Sequence, residues 1–88
     1  MNPIPDLKRF LLRALYRLNG IPWPDALLND TARQAVIPAP LQSDISQAKR
    51  ELEGAGFIQA CRDELDGLVT WTLTDKGRHR AAQLENGE

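Results

Sequence analysis

The feature that most constrains the fold is the stretch of residues 41–56, where a helical pattern runs directly into a strand pattern. The apolar residues of this stretch recur at steps of three and four, a spacing that places them on one side of an α-helix. They are Leu41, Ile45, Ala48, Leu52 and Ala55. We therefore predict a helix over residues 41–55. Gly56 is expected to end it in a left-handed conformation before an extended run begins at Phe57.

The opposite face of this helix is polar and is predicted to remain open to solvent or to another molecule. It carries Gln42, Ser43, Asp44, Ser46, Gln47, Lys49, Arg50 and Glu53. Such side chains can hydrogen-bond a partner and have no reason to enter a core. A polar helix face followed by a hairpin is the pattern expected of a recognition helix that leads into a β-wing.

Chain length and composition predict a single domain over residues 1–88. With 42% hydrophobic and 26% charged residues, the chain is ordinary for a globular unit with one modest core. It contains no apolar run of about 18 residues and no signal-peptide pattern at its start. We therefore expect a cytoplasmic location and no membrane partner.

The charge balance bears on nucleic-acid binding, which usually leaves a basic footprint. The net charge is −1. Residues 6–18, with four basic and one acidic side chain, are the only net basic segment. DNA binding remains compatible with this balance, because affinity depends on the local arrangement of phosphate contacts.

No catalytic or metal-binding pattern is present. The chain has one cysteine, Cys61, and one histidine, His79, so neither an internal disulfide nor a structural zinc site with about four Cys and His ligands can form. We expect no enzymatic activity, no metal and no cofactor, with His79 as an exposed helix residue.

The first helix is predicted from Leu7 to Leu18, with Asp6 as its N-cap and Asn19-Gly20 as its end. Arg9, Arg13 and Arg17 are four residues apart and so share one face. Two interpretations remain open for these arginines: a solvated surface, or a contact with phosphates or an acidic partner. Leu12 and Tyr16 lie off the main apolar stripe and could extend it into a subunit contact.

The next segment is rich in proline. Ile21 is predicted to form a minimal strand, and Trp23 to pack at the entrance of a second helix over residues 24–35. The inward set of that helix is expected to be Leu27, Leu28, Ala32 and Ala35. Residues 36–40 form a connector that Pro38 and Pro40 stiffen.

Residues 57–73 are predicted to form a hairpin around a two-residue turn at Asp66-Gly67. A turn at these two residues sets the strand register and pairs Arg62 with Trp71, where a cation–π contact could form. The remaining predicted pairs are Ala60 with Leu73, Glu64 with Val69, Cys61 with Thr72, Asp63 with Thr70 and Leu65 with Leu68. Leu65 and Leu68 then lie at an exposed, acidic tip. Two interpretations remain open: local turn packing or an error in the predicted register, or a tip that docks on another protein.

The last segment is predicted to be a helix that folds back beside the first. Thr74 is its N-cap, and Gly77 is expected to permit close packing. Residues 85–88 are expected to fray.

The order of elements resembles the winged helix-turn-helix family of bacterial DNA-binding regulators. Two junctions carry this resemblance: residues 52–58, LEGAGFI, are similar to the family's LexxGxI pattern, and residues 71–78, WTLTDKGR, to its ysLTxxGr pattern. The resemblance implies an α+β, mostly helical fold with a three-helix core, a two-stranded β-wing with a short third strand, and a C-terminal helix.

The resemblance also implies double-stranded DNA as a partner. Ser43, Ser46, Gln47 and Arg50 would then face the major groove, with Lys49 on the DNA backbone. Arg9, Arg13 and Arg17 are further candidates for backbone contacts. A homodimer is expected by analogy with the family.

Some residues depart from what DNA binding requires. Asp44 and Glu53 place negative charge on the recognition helix, and the wing lacks a basic tip. Two functions therefore stay open. One is a small DNA-binding transcriptional regulator. The other is a winged-helix protein-interaction or assembly module that could dock through the acidic wing, with Leu65 and Leu68, or through the basic first helix.

Overall fold

The computed structural model describes residues 2–18 and 21–87, which form four helices and a three-stranded antiparallel sheet. The elements in chain order are α1 (Ile4–Arg17), β1 (Trp23–Pro24), α2 (Asp25–Ala35), α3 (Gln42–Gly54), β2 (Ile58–Arg62), β3 (Val69–Leu73) and α4 (Asp75–Glu85). The predicted order of elements and fold class are confirmed. The predicted end of α1 at Asn19-Gly20 lies outside the described residues.

Helix α1 begins three residues earlier than predicted, so the assignment of Asp6 as its N-cap is wrong. Pro3 is the N-cap, and the amide of Ile4 donates to Asn2 Oδ1 over 3.0 Å. Pro5 fits the first turn because the first amides of a helix have no intrahelical acceptor to lose. Asp6 instead lies inside the first turn, where its charge is favourable to the helix dipole.

The core is centred on α1, which packs against α2, α3 and α4. Leu12, predicted at a subunit contact, is only 4% exposed, and Tyr16 packs against the same core. Leu12 is therefore not available for a subunit contact, because α1 has neighbours on several sides and buries more than one stripe. The buried residues of α1 are Ile4, Leu7, Leu11, Leu12, Ala14 and Leu15.

The short strand β1 contains Trp23 rather than Ile21, which is 60% exposed. Trp23 pairs with Trp71, and Pro24 with Thr70, at the edge of the sheet. An edge position suits Pro24, since it has no amide proton to donate.

Helix α2 buries only part of its predicted inward set. Leu28 and Ala32 are fully buried, whereas Leu27 is 50% exposed and Ala35 is also exposed. The connector over residues 36–40 has no regular structure, as predicted.

The hairpin has the predicted strands but a different register. Strand β3 lies between β1 and β2, with Ala60 opposite Trp71 and Arg62 opposite Val69. The predicted pairs are therefore wrong by two residues. Arg62 is not the cross-strand partner of Trp71, so the prediction of a cation–π contact between them is also wrong. A shift of two residues keeps the alternation, so residues predicted to share a face of the hairpin still share it.

The loop between β2 and β3 contains residues 63–68 and is longer than the predicted two-residue turn. Asp63 explains its length. Its carboxylate accepts hydrogen bonds from the amides of Leu65 (2.7 Å) and Asp66 (3.3 Å), and its backbone amide donates to Leu68 O (2.9 Å). An aspartate that binds the amides just after it favours this longer loop over a two-residue turn.

The two sequence junctions meet in space. Gly56 has φ +84°, and the amide of Phe57 donates to Leu52 O over 2.9 Å, which closes α3 in the predicted left-handed manner. A Cβ on Gly77 would lie 1.8 Å from Phe57 O, so α4 can approach this turn only through glycine. Thr74 is the N-cap of α4, as predicted, and its Oγ1 accepts from the Gly77 amide over 3.0 Å.

Helix α4 packs beside α1, as predicted, but it does not fray at Glu85. Glu85 is the last helical residue, and its carboxylate lies 2.8 Å from Nε of Arg13. This contact between α1 and α4 holds the end of the helix.

Candidate nucleic-acid interface

Helix α3 presents one buried and one exposed face. Ile45, Ala48 and Leu52 are at most 3% exposed and fix the helix on the core. The ends of the predicted inward set are not covered, since Leu41 is 69% exposed and Ala55 is also exposed. Of the predicted recognition residues, Ser43, Gln47 and Arg50 are exposed and Ser46 is half-buried. The spacing of four and three between Ser43, Gln47 and Arg50 places them on one outward stripe.

Asp44 has a structural role at the start of α3. Its Oδ2 accepts from the amide of Leu41 over 3.1 Å, while its own amide donates to Leu41 O over 3.0 Å. A carboxylate here satisfies an otherwise free backbone donor and favours the helix dipole. The negative charge of Asp44 is thus partly used within the helix.

Gln47 is engaged within α3. Its Nε2 donates to Oε2 of Glu51 over 2.8 Å, and Oε1 of Glu51 accepts from Lys8 over 2.6 Å. The hydrogen bond from Lys8, followed by that from Gln47, keeps the pKa of Glu51 below its ordinary value. Glu51 therefore stays ionised and holds the Gln47 amide group in place on the exposed surface.

Lys49 does not lie on the outward face, so its predicted placement is wrong. The residue is 6% exposed, and its Nζ donates to Oδ1 of Asp25 (2.5 Å) and to Oδ1 of Asn29 (2.6 Å). Nζ also lies 5.6 Å from the ring centroid of Trp71. The apolar spacing could not reveal this, because Lys49 follows Ala48 at the edge of the buried stripe and its partners come from other elements.

Asp25, at the start of α2, joins these elements. Its Oδ1 also accepts a 2.7 Å hydrogen bond from Nε1 of Trp71. Burial alone raises the pKa of Asp25, but the hydrogen bonds from Lys49 and Trp71 and the charge of Lys49 outweigh it and lower the pKa below its ordinary value. The ionised carboxylate ties α2, α3 and β3 together.

A groove of about 280 Å³ lies between α3 and the sheet, with Arg50 and Ser46 on one side and Val69 on the other. Arg62 is the cross-strand partner of Val69, so both side chains lie on the same face of the hairpin. Arg62 is exposed. Sequence reasoning missed it as a site residue because the wrong register placed it over Trp71.

The fold matches solved structures of bacterial proteins. A Lactococcus lactis ZitR mutant in apo form superposes with a TM-score of 0.71 and 18% identity, over 94% of this chain and 57% of that one. Streptococcus pneumoniae FabT in complex with DNA superposes with a TM-score of 0.69 and 18% identity, over 90% of this chain and 50% of that one. This is a winged-helix fold.

A third winged-helix match is smu.1704 from Streptococcus mutans UA159, with a TM-score of 0.70 and 17% identity over 90% of this chain and 76% of that one. The chain spans about half the length of the ZitR and FabT chains. No family model matches the sequence, and no curated protein matches it. Helix α3 lies where the winged-helix fold has its recognition helix, and the β2–β3 hairpin lies where that fold has its wing.

The basic side chains divide into paired and unpaired groups. On α1, Arg9 lies 3.2 Å from Asp6, while Arg13 and Arg17 lie 2.8 Å and 4.0 Å from Glu85. The hydrogen bond from Arg13 lowers the pKa of Glu85. Within residues 2–18 and 21–87, the basic side chains with no carboxylate oxygen within 4.0 Å are Arg50, Arg62, Lys76 and Arg80.

The tip of the wing is exposed and acidic, as predicted. Leu65 is 98% and Leu68 63% exposed, with Asp63, Glu64 and Asp66 around them. The tip offers no cation to a phosphate. Among the helices of the described ranges, none is long and apolar enough to span a bilayer.

Proposed function

We propose that this protein binds double-stranded DNA through recognition helix α3 and acts as a small transcriptional regulator. The observation that carries the proposal is the exposed stripe of Ser43, Gln47 and Arg50 on a helix whose other face is fixed in the core. Its structural neighbours are winged-helix transcriptional regulators, and the FabT structure contains DNA. Binding to chromosomal DNA would be consistent with the predicted cytoplasmic location.

The chemistry of the stripe suits the major groove. Arg50 has no carboxylate within 4.0 Å in the described chain, so its guanidinium group is free to bridge O6 and N7 of guanine. Gln47 can bridge N6 and N7 of adenine once its amide leaves Glu51. Ser43 and Ser46 are short donors suited to base edges or phosphates.

Backbone contacts are assigned differently from the sequence-based prediction. Lys49 is buried and paired, whereas Arg62 is exposed and lies beside the groove between α3 and the wing. We therefore assign a phosphate contact to Arg62 in place of Lys49. Arg9, Arg13 and Arg17 remain candidates for such contacts, in competition with the carboxylates of Asp6 and Glu85.

The experiment is DNA selection from a random duplex pool, followed by titration of the selected and a random duplex at low and moderate salt. Arg50→Ala and Gln47→Ala should each weaken binding to the selected site by about 1–3 kcal/mol and affect the random duplex less. Arg80→Ala is the matched control, because it removes an exposed guanidinium from α4 that has no carboxylate partner. Equal losses on both duplexes would rule out base recognition by α3, and no binding at low salt would rule out the function.

A protein-interaction role is a second candidate, and it rests on a different observation. The two exposed leucines at the acidic wing tip, Leu65 and Leu68, suit a protein surface better than a phosphate backbone.

A further inference from the structure

Two surface features outside the recognition helix are complementary in charge and polarity. One is the wing tip, residues 63–68. The other is the α1–α2 groove, a cleft of about 510 Å³ between α1, α2 and the connector. The residues that line it are Asp6, Arg9, Phe10, Arg13, Ala14, Arg17, Leu18, Trp23, Thr31, Ala35, Val36 and Ile37.

The wing tip has an apolar centre and an acidic surround. Leu65 and Leu68 are 98% and 63% exposed. The carboxylates of Asp63 and Asp66 accept from the amides of Leu65 and Leu68 over 2.7 Å and 2.9 Å, which holds the loop in shape before any partner arrives. A loop that is already ordered loses little conformational entropy on binding.

The α1–α2 groove is also apolar at its centre. Phe10, Trp23 and Ile37 provide apolar lining, and Ile37 is 89% exposed. The indole Nε1 of Trp23 is buried and has no acceptor in the described part of the chain. The apolar lining suits apolar side chains of a partner.

The rim of the groove is basic. The side chains of Arg9, Arg13 and Arg17 are 60%, 47% and 68% exposed along one face of α1. These three guanidinium groups share the carboxylates of Asp6 and Glu85, which leaves the rim with net positive charge. An apolar cleft with charged edges is the usual arrangement of a protein interface.

We propose that the wing tip of one copy docks in the α1–α2 groove of a second copy. Leu65 and Leu68 would enter the cleft while Glu64 and its acidic neighbours meet the arginine rim. Every copy carries both surfaces, so a twofold pair can form the contact twice and close as a dimer. In the described structure the tip is exposed and therefore available for this contact.

Sedimentation velocity of the whole protein without DNA tests this contact, so its outcome is independent of DNA binding. The wild type should associate with rising concentration, and less strongly as salt rises. Leu65→Asp with Leu68→Asp should weaken association at least about tenfold. Leu41→Asp is the control, since Leu41 is a similarly exposed leucine outside both surfaces.

A charge exchange provides the decisive second test. Glu64→Arg on the tip and Arg17→Glu on the rim should each weaken association, and the two together should restore it, because the double variant recreates an opposite-charge pair. Both side chains are exposed, so circular dichroism should show an intact fold. A wild type that stays monomeric, or association that the leucine pair and the charge variants leave unchanged, would overturn the proposal.

Discussion

Nε1 of Trp71 donates a 2.7 Å hydrogen bond to Oδ1 of Asp25, a carboxylate oxygen that Lys49 also contacts. Trp71 belongs to the wing, Asp25 starts α2, and Lys49 comes from the inner side of the recognition helix. A single ionised carboxylate thus joins the three elements that form the proposed DNA-binding surface. This partly buried polar cluster therefore connects the recognition helix to the wing.

Lys49→Ala should lower the free energy of unfolding by about 1–3 kcal/mol, because it removes the hydrogen bonds that Asp25 and Asn29 accept from the Lys49 ammonium group. Urea unfolding followed by tryptophan fluorescence measures the loss. Arg80→Ala, an exposed basic residue, should change stability by no more than about 0.5 kcal/mol. If Lys49→Ala kept full stability but reduced the salt dependence of DNA binding, Lys49 would be a phosphate ligand after all.

The contribution of Asp25 to stability should depend on pH. Since folding lowers its pKa below the ordinary value of 3.8, the unfolded chain binds more protons in this range, and stability rises with pH. The stabilisation is complete above that value and is lost as pH falls through the lower pKa of the folded state. Asp25→Asn should therefore differ most from the wild type near neutral pH and least in acid. Urea titrations at a series of pH values would refute this if the difference stayed constant.

Gly77→Ala should severely destabilise the protein. The new Cβ would lie 1.8 Å from the backbone oxygen of Phe57, and moving α4 away would break the 3.0 Å hydrogen bond from the Thr74 amide to that same oxygen. The matched control is Gly54→Ala at the end of α3, where a Cβ meets nothing within 4 Å. Removing that glycine should stabilise the protein by about 0.4–1 kcal/mol. Thermal melts of the two variants should shift in opposite directions, and equal shifts would contradict the close approach.

Arg62→Ala tests the phosphate contact assigned under the DNA-binding proposal. Binding should weaken by a similar factor on selected and random duplexes, and the salt slope should fall by about one, because a phosphate contact releases counterions without reading a base. Fluorescence anisotropy over a range of salt gives both quantities. A loss confined to the selected duplex would instead place Arg62 on a base edge.

The recognition helix shows how far apolar spacing can predict placement. Ile45, Ala48 and Leu52 formed the buried stripe as expected, and Ser43, Gln47 and Arg50 face outward. The spacing did not predict that Lys49, at the edge of that stripe, would be buried. A long basic side chain is buried only where hydrogen-bond acceptors are available to it. For Lys49 these are the carboxylate of Asp25 and the side-chain oxygen of Asn29, which are 24 and 20 residues away in the sequence.

The wing shows a second limit. Residue alternation predicted that Ala60 and Trp71 share one face of the hairpin, as they do, although Ala60 is exposed there. The turn signal at Asp66-Gly67 gave the wrong cross-strand partners. Asp63 favours a longer loop than the Asp66-Gly67 turn, because its carboxylate accepts hydrogen bonds from the amides of Leu65 and Asp66. Two turn signals so close together leave the register undecided in the sequence, and the choice between them determined where Arg62 lies.

The sequence by itself determined the order of elements, the exposed face of the recognition helix, the left-handed turn at Gly56 and the glycine contact of α4, because each depends on local periodicity or on backbone conformations that few residues adopt. Tertiary structure decided which polar side chains are buried, which strand residues face each other and which arginines already have a carboxylate. Those outcomes depend on contacts between distant segments, and side-chain spacing along one element carries no information about the partners that the other elements supply.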